Sequence, residues 1–271
     1  MKISENYSLK PYNTFNIDVC CKYFVEADDE KELLDFVAAY EWNPFEILIL
    51  GGGSDFLFTE DFDGTVFYPA MKGMVVTEED DEWVNVRVGA GVVWDDFVAW
   101  AVGQGYGGVE NLSLIPGHVG AAPVQNVGAY GMEAGEVIVS VEAIDLEKAQ
   151  CVTITAAECR FAYRDSIFKQ EWKNRFIITY VTFRLAKHPQ FRLDYGNVKE
   201  ELEKMGGEVS LQTIRQAIIH IRHAKLPDVN DLPNAGSFFK NPMVSRAFAE
   251  KLAEQYPGMP IYPVDEDCYK L

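Results

Sequence analysis

The chain has 271 residues, 48% of them hydrophobic, which allows two domains with a sizeable core and excludes a disordered protein. Its 24 basic and 42 acidic residues leave a net charge of −18, which excludes nucleic-acid binding through a general basic surface but not a local basic pocket. Five cysteines, two of them adjacent (Cys20 and Cys21), give neither a disulfide framework nor a zinc spacing, and no run reaches membrane-spanning length, so a reduced, cytoplasmic setting without metal or membrane is expected.

Taken in order, residues 1–18 read as irregular. Tyr23–Ala27 is a short strand, and Asp28–Tyr40 an amphipathic helix with an acidic first turn and Leu33, Leu34, Phe36 and Val37 on one face. Glu46–Leu50 is a buried strand that ends abruptly in Gly51-Gly52-Gly53-Ser54; with Asp55–Phe58 it predicts a small βαβ-like unit with a corner suited to phosphate. From Thr65 the pattern turns to strands: Thr65–Tyr68, Met74–Thr77 and Trp83–Val88. A helix over Val92–Gln104 comes next. Val137–Asp145 and Gln150–Thr155 form a hairpin, Ala156–Tyr163 a turn or short helix, and Arg175–Leu185 a further strand. Phe191–Asn197 is extended, Leu211–Ala224 and Ser245–Tyr256 are helices, and Asp228–Lys240 is a Gly/Asn/Pro-rich loop. The four histidines (118, 188, 220 and 223) are scattered and read as surface or capping groups.

The chain is organised around Leu112–Gly131, LSLIPGHVGAAPVQNVGAYG. It holds four glycines, three alanines and two prolines, with no Asp, Glu, Lys or Arg. It is too apolar for a solvated loop and too rich in Gly and Pro for a helix. Such a run is either a backbone wall against a large bound cofactor or a buried loop crossing between layers. The Gly51–Ser54 turn offers consecutive backbone N–H groups that can nest around pyrophosphate without a basic side chain. It is neither a Walker A loop nor a full GxGxxG, because no Gly-Lys-Ser/Thr follows and Phe56 stands where the third glycine belongs. Two separate Gly-rich walls suit one long ligand with a central diphosphate, such as FAD. Arg164, in Ala162-Tyr163-Arg164-Asp165, is suited to a flavin edge or a substrate carboxylate, or simply pairs with Asp165. Ser237, in Asn234-Ala235-Gly236-Ser237-Phe238-Phe239, has no His or Asp nearby in sequence to make it a hydrolytic nucleophile; it is a proton-donor candidate or an ordinary loop serine.

GGGSDFLF (51–58), ENLSLIPGHVGAAPVQNVGAYG (110–131), CRFAYRDSIFK (159–169) and NAGSFFKNP (234–242) together resemble the UDP-N-acetylenolpyruvoylglucosamine reductase (MurB) family, in its order and rough spacing. The resemblance runs from Ser8 to the end. It implies an α+β fold: a two-subdomain FAD-binding domain of the vanillyl-alcohol-oxidase (PCMH) type, over residues 1–67 and 68–200, then a substrate-binding α/β domain over 201–271. It implies FAD, NADPH as reductant, a UDP-sugar substrate, a monomer and a cytoplasmic step of peptidoglycan precursor synthesis.

By the same resemblance, hydride passes from flavin N5 to the enolpyruvyl methylene carbon. Ser237 protonates the adjacent carbon, Arg164 stabilises the enolate and meets the flavin edge, and Phe238 and Phe239 exclude water. The cofactor wall comprises Leu50, Gly51, Gly52, Gly53, Ser54, Asp55, Pro116, Gly117, Gly120, Ala121, Ala122, Gln125, Asn126, Gly128, Ala129, Tyr130, Gly131 and Arg164. Tyr163, Tyr195, Lys225 and Asn241 are the substrate-binding candidates, with Tyr195 on a nucleotide-closing loop. Family members are expected to continue past Lys270-Leu271 with a helix, strands and a Glu that completes the catalytic set, so a truncated third domain lacking that Glu is expected here. The alternatives are another oxidoreductase on this FAD fold and a non-catalytic flavin-binding protein.

Overall fold

A computed structural model describes residues 1–40, 42–43 and 45–271. The first sheet is built from β1 (Lys2–Ser8), β2 (Cys20–Ala27), β3 (Ile47–Ile49) and β4 (Phe62–Pro69), with α1 (Glu30–Ala38) between β2 and β3. Asp29 starts α1 by accepting the Glu32 N–H at 2.8 Å. The strand order is β1-β2-β4-β3, with β2 and β3 parallel to β4. Successive residues of a strand face opposite ways, so this sheet serves two cores. Val25 and Phe67 pack with Leu33 and Val37 of α1, whereas Phe24 and Val66 pack with Leu9 and Leu50.

The expectation of an irregular start is corrected. β1 is an antiparallel edge strand, running from Lys2 opposite Glu26 to Ser8 opposite Cys20. Its sequence, KISENYS, is largely solvent-facing and carries little hydrophobic alternation. Pairing with β2, a contact the local pattern does not encode, makes it a strand.

The second sheet begins with β5 (Met74–Glu79) and β6 (Trp83–Gly89), followed by α2 (Trp94–Gly103). The organising stretch contains one 3-10 turn, Val119–Ala121, continuing into α3 (Ala122–Gln125), so the expectation of no helix there is also corrected. Pro123 lies in the first turn of α3, where its missing N–H removes no intrahelical bond. A small hairpin of β7 (Gly128–Ala129) and β8 (Met132–Glu133) closes the stretch. β9 (Ile138–Asp145), β10 (Gln150–Thr155) and β11 (Phe176–Ala186) complete a five-stranded antiparallel sheet of order β10-β9-β11-β6-β5.

One face of that sheet packs Val86, Val141 and Phe183 against Trp94 and Phe97 of α2, with the Phe97 and Phe183 rings 4.6 Å apart. The other face carries a fork from Arg87 to Glu142, both bonds 2.7 Å, with the guanidinium 3.3 Å over the Tyr180 ring. Beside it, Thr179 donates to Glu30 of α1 at 2.5 Å, tying the two sheets together.

α4 (Val198–Met205) and α5 (Leu211–Lys225) follow. The sequence reading did not anticipate α4, a short, highly charged helix with one buried residue, Val198. α5 begins in a capping box of Ser210 and Thr213 and buries Leu211, Ile214, Ala217, Ile218 and Ile221. Contacts separate Met1–Gly236 from a second unit, Ser237–Leu271. That unit consists of β12 (Met243–Ser245), α6 (Arg246–Gln255), β13 (Tyr262–Pro263) and β14 (Cys268–Lys270), in the antiparallel order β12-β14-β13. Among the described residues no helix is long and apolar enough to cross a membrane.

Phe183 is fully buried between β11 and α2. Phe183→Ala is expected to cost about 3–5 kcal/mol of unfolding free energy, read as a lower urea midpoint in equilibrium denaturation.

Candidate functional site

Leu50 follows β3 and is wholly buried, and Gly51–Ser54 turn away from the sheet at the carboxyl end of this parallel strand, where open α/β sheets place ligands. No helix follows. Asp55–Phe58 is irregular, so the expected βαβ corner is a bare turn, and any anion there meets backbone N–H groups without a helix dipole behind them. Gly52 runs directly against the second wall: a Cβ on it would lie 2.8 Å from the Gly117 Cα. Gly53 adopts φ +60°, and a Cβ there would fall 1.8 Å from the Tyr12 carbonyl oxygen. Ser54 donates to the Pro116 carbonyl at 3.3 Å. The two Gly-rich segments are thus one structure, joined backbone to backbone.

Between them lies a cleft of about 600 Å³, within the range of small-molecule sites. Leu50, Gly51, Gly52, Gly53, Ser54 and Asp55 line it from one side, and Pro116, Gly117, Gly120, Ala121, Ala122 and Gln125 from the other. Sequence reasoning missed the third side, Phe168, Trp172, Lys173, Asn174, Phe176 and Ile178, and did not assign Lys169 or His118 to the site. Phe168, Lys169 and His118 fell inside recognised motifs without being assigned a role; Trp172–Asn174 carried no signal of their own. The slot combines apolar and aromatic walls, a glycine turn bare of side chains and two lysines. That donor set fits a flat ring system joined to a diphosphate, as in FAD. Asp55 stands at its mouth; partial burial raises its carboxyl above the usual range, with Lys169 opposing the shift.

Asn126, Gly128, Ala129, Tyr130, Gly131 and Arg164 lie outside the cleft lining and form a second cluster. Asn126 is buried with φ +45°, and its amide donates to Glu133 at 2.6 Å and to the Ala162 carbonyl at 3.0 Å while accepting the Gly135 N–H at 2.8 Å. Those bonds fix the Ala162–Asp165 turn, whose ends exchange two 3.0 Å backbone bonds and whose Arg164 has φ +53°. Ser166 donates to the Val124 carbonyl at 2.6 Å, and Lys169 reaches the Arg164 carbonyl at 3.1 Å. The Arg164 guanidinium donates to the Gly128 carbonyl, lies 3.8 Å from Glu133 and sits 5.1 Å from the Tyr163 ring centre. A Cβ on Gly128 would stand 2.7 Å from Arg164, so glycine there makes room for the cation. Left-handed backbone at a non-glycine residue is strained, and here it is held by a dense bond network around one cation.

Ala129 and Met132 pair across the Tyr130–Gly131 turn, where both residues have positive φ. The Tyr195 side chain lies over Gly131, 3.1 Å from where a Cβ would be. Charged groups clamp this region to α2 and α5. Arg215 forks onto Asp95 at 2.6 and 2.8 Å, and Asp95 also accepts the Leu114 N–H at 2.5 Å. Burial works to raise the Asp95 carboxyl, but Arg215 and the Leu114 N–H hold it below its ordinary value. Arg222 donates to the Leu114 carbonyl at 3.1 Å and bonds the Tyr130 hydroxyl; burial lowers the guanidinium and raises the phenol.

Lys225 is exposed at the end of α5, one turn beyond Arg222. Asn234 donates from its backbone to Thr14, whose own N–H bonds the Gly53 carbonyl, so the last serine-bearing motif begins beside the glycine turn. Ser237 and Asn241 belong to the second unit, where both are exposed. Phe238 and Phe239 stand edge to face at 5.4 Å and are 40% and 85% exposed. One correction concerns His118. It is not a surface group, and it makes no side-chain cap at the turn it precedes. Burial, with Lys72 adding to it, pushes its imidazole down to about 4.

Two expectations follow. Gly52→Ala must force the walls apart, costing about 1–3 kcal/mol and abolishing flavin retention, checked by thermal melting and by fluorescence titration with FAD. For His118, the folded pKa of about 4 lies below the ordinary 6.5, so the unfolded chain binds the extra proton first. Stability is therefore unaffected above pH 6.5 and falls by about 2–3 kcal/mol as pH drops toward 4. His118→Gln should flatten that part of the melting-temperature profile.

Residues 21–155 match the FAD binding domain family. The chain is 47% identical over 270 residues to the UDP-N-acetylenolpyruvoylglucosamine reductase of Bacteroides fragilis, covering 99% of this chain and 80% of that protein. The Pseudomonas putida protein of the same name is 44% identical over 268 residues, covering 98% and 79%. Among solved structures, the Thermus caldophilus enzyme (MurB) aligns with a TM-score of 0.60 at 25% identity over 89% of this chain and 74% of that one. A solvent-stable cholesterol oxidase aligns with a TM-score of 0.50 at 12% identity over 69% and 38%, a likeness of fold alone. The expected α+β fold with a PCMH-type FAD-binding domain is therefore present. With two relatives above 40% identity along almost its whole length, the chain belongs to the UDP-N-acetylenolpyruvoylglucosamine reductase family.

Proposed function

We propose that this chain uses FAD, reduced by NADPH, to convert UDP-N-acetylglucosamine enolpyruvate to UDP-N-acetylmuramate, as a cytoplasmic monomer in peptidoglycan precursor synthesis. The observation that carries the reading is the cleft that unites both Gly-rich walls in a chain of this family. Residues 1–67 and 68–200 are assigned to cofactor binding and 201–271 to the UDP-sugar. When bound, FAD supplies the hydride that reduces the enolpyruvyl double bond.

The chain's own residues do the rest. Gly51–Ser54 and Pro116–Gln125 hold the cofactor through backbone groups and exclude water from its ring. Arg164 is a fixed cation whose charge suits the substrate carboxylate and the enolate that develops beside it. Its bonds to Gly128 and Glu133 orient it before substrate arrives, so little reorganisation opposes the reaction. Ser237 delivers the proton to the carbon next to the carboxylate. Lys225 and Asn241 hold the UDP diphosphate, Tyr163 lies beside the Arg164 cation, and Tyr195 covers the nucleotide.

Titrating the FAD-loaded chain with the enolpyruvyl UDP-sugar tests the reading. The expected result is a shift of the flavin absorption bands and substrate-dependent NADPH oxidation, with Arg164→Ala lowering turnover about 10²–10³-fold. A yellow protein whose spectrum ignores the UDP-sugar would instead be a different oxidoreductase on the same fold.

A further inference from the structure

His118 is a polar group in the cleft for which the proposed chemistry has no use. It lies between Gly117 and Val119, its backbone held by a bridge to Val93 and by its carbonyl accepting the Ala121 N–H at 3.0 Å. The ring packs edge-on to Tyr68, with centres 5.7 Å apart. That contact restrains the imidazole in one orientation along the cleft wall.

The two ring nitrogens are not equivalent. Nδ1 is buried and has no hydrogen-bond partner among the described residues. Among the described residues, Lys72, between β4 and β5, is the charged group that acts on the ring, and its ammonium donates to the Gly91 carbonyl. Tyr68 is the other titratable group facing it, and its phenol is raised by burial and so stays protonated. A neutral imidazole carries one N–H. A sealed nitrogen without an acceptor is better left bare than protonated, because a buried unpaired N–H loses its whole hydrogen bond. The proton therefore belongs on Nε2, the nitrogen left for the cleft. The His118 Cβ is 3.8 Å from where a Cβ on Gly51 would stand, so this donor shares a corner with the glycine turn.

We infer that His118 is a cofactor-positioning residue of this chain, donating a hydrogen bond from Nε2 to the diphosphate of FAD beside the Gly51–Ser54 turn. The inference rests on the FAD reading and adds a neutral side-chain donor beside the backbone N–H groups of the glycine turn.

The purified full chain, stripped of flavin, is titrated with FAD and, separately, with riboflavin, which has the ring but no phosphate. His118→Leu is expected to weaken FAD about 10- to 100-fold and leave riboflavin unchanged, while His118→Gln, which keeps an N–H donor, stays within about 3-fold of the parent for FAD. Histidine ¹⁵N NMR of the unsubstituted chain should show a bare Nδ1 and an Nε2–H whose signal moves on adding FAD and not riboflavin. Equal losses for FAD and riboflavin, or an Nδ1–H tautomer, overturn the inference even if His118→Leu folds poorly, because the NMR needs no substitution. Failure of the unsubstituted chain to bind FAD sinks the cofactor reading itself, whereas FAD binding indifferent to all His118 changes sinks only this inference.

Discussion

The close passage of Gly52 against Gly117 is the constraint on which the rest of the site depends. A methyl group on Gly52 would sit 2.8 Å from the Gly117 Cα, well inside van der Waals contact. At that spacing two segments some 60 residues apart become one surface, locked by the Ser54 bond to Pro116. Behind the turn, Leu50 is fixed in the core of the parallel sheet; behind Gly117, the Gly117 carbonyl accepts the Trp94 N–H at the start of α2 at 2.9 Å. The first wall is therefore anchored to the first sheet and the second to the start of α2.

A second constraint operates from outside the cleft. The organising stretch carries no charge of its own, yet charged groups on its neighbours hold its ends. Asp95 of α2 takes the Leu114 N–H and the Arg215 fork, and Arg222 of α5 takes the Leu114 carbonyl and the Tyr130 hydroxyl. Leu114 is held at φ +58° with both its backbone groups engaged. Partly buried pairs of this kind cost desolvation and are retained where they enforce one conformation. Lys225 lies one turn beyond Arg222 on the same helix.

Much of the fold was legible because its signals are local. α2 and α5 announce themselves by apolar periodicity, and β9, β10 and β11 by runs of β-branched residues. β1 was not legible, since an exposed edge strand becomes a strand only through its partner, and neither was α4, a charged helix with one buried residue. Of the site, the glycine walls could be read because close backbone approach demands small residues. Trp172–Asn174 could not, because ordinary residues line a cleft only when a distant segment brings them there. Asn126 shows a different limit. Its amide donates to Glu133 and Ala162 and accepts the Gly135 N–H, contacts with separate segments that the local pattern does not encode.

The acidic balance of the chain bears on how it holds an anion at all. A net charge of −18 repels a diphosphate at long range, so binding cannot depend on the overall field. On the proposed reading the cleft offers groups whose strength is local: turn N–H groups, an imidazole held neutral, and Lys169 and Lys173 in its lining. Hydrogen bonds from fixed neutral donors weaken little with salt, whereas attraction to exposed lysines is screened within about 8–10 Å. On the proposed function, such a site selects FAD by shape and by the placement of its oxygen atoms more than by charge, which suits a cofactor that stays in place while an anionic UDP-sugar comes and goes.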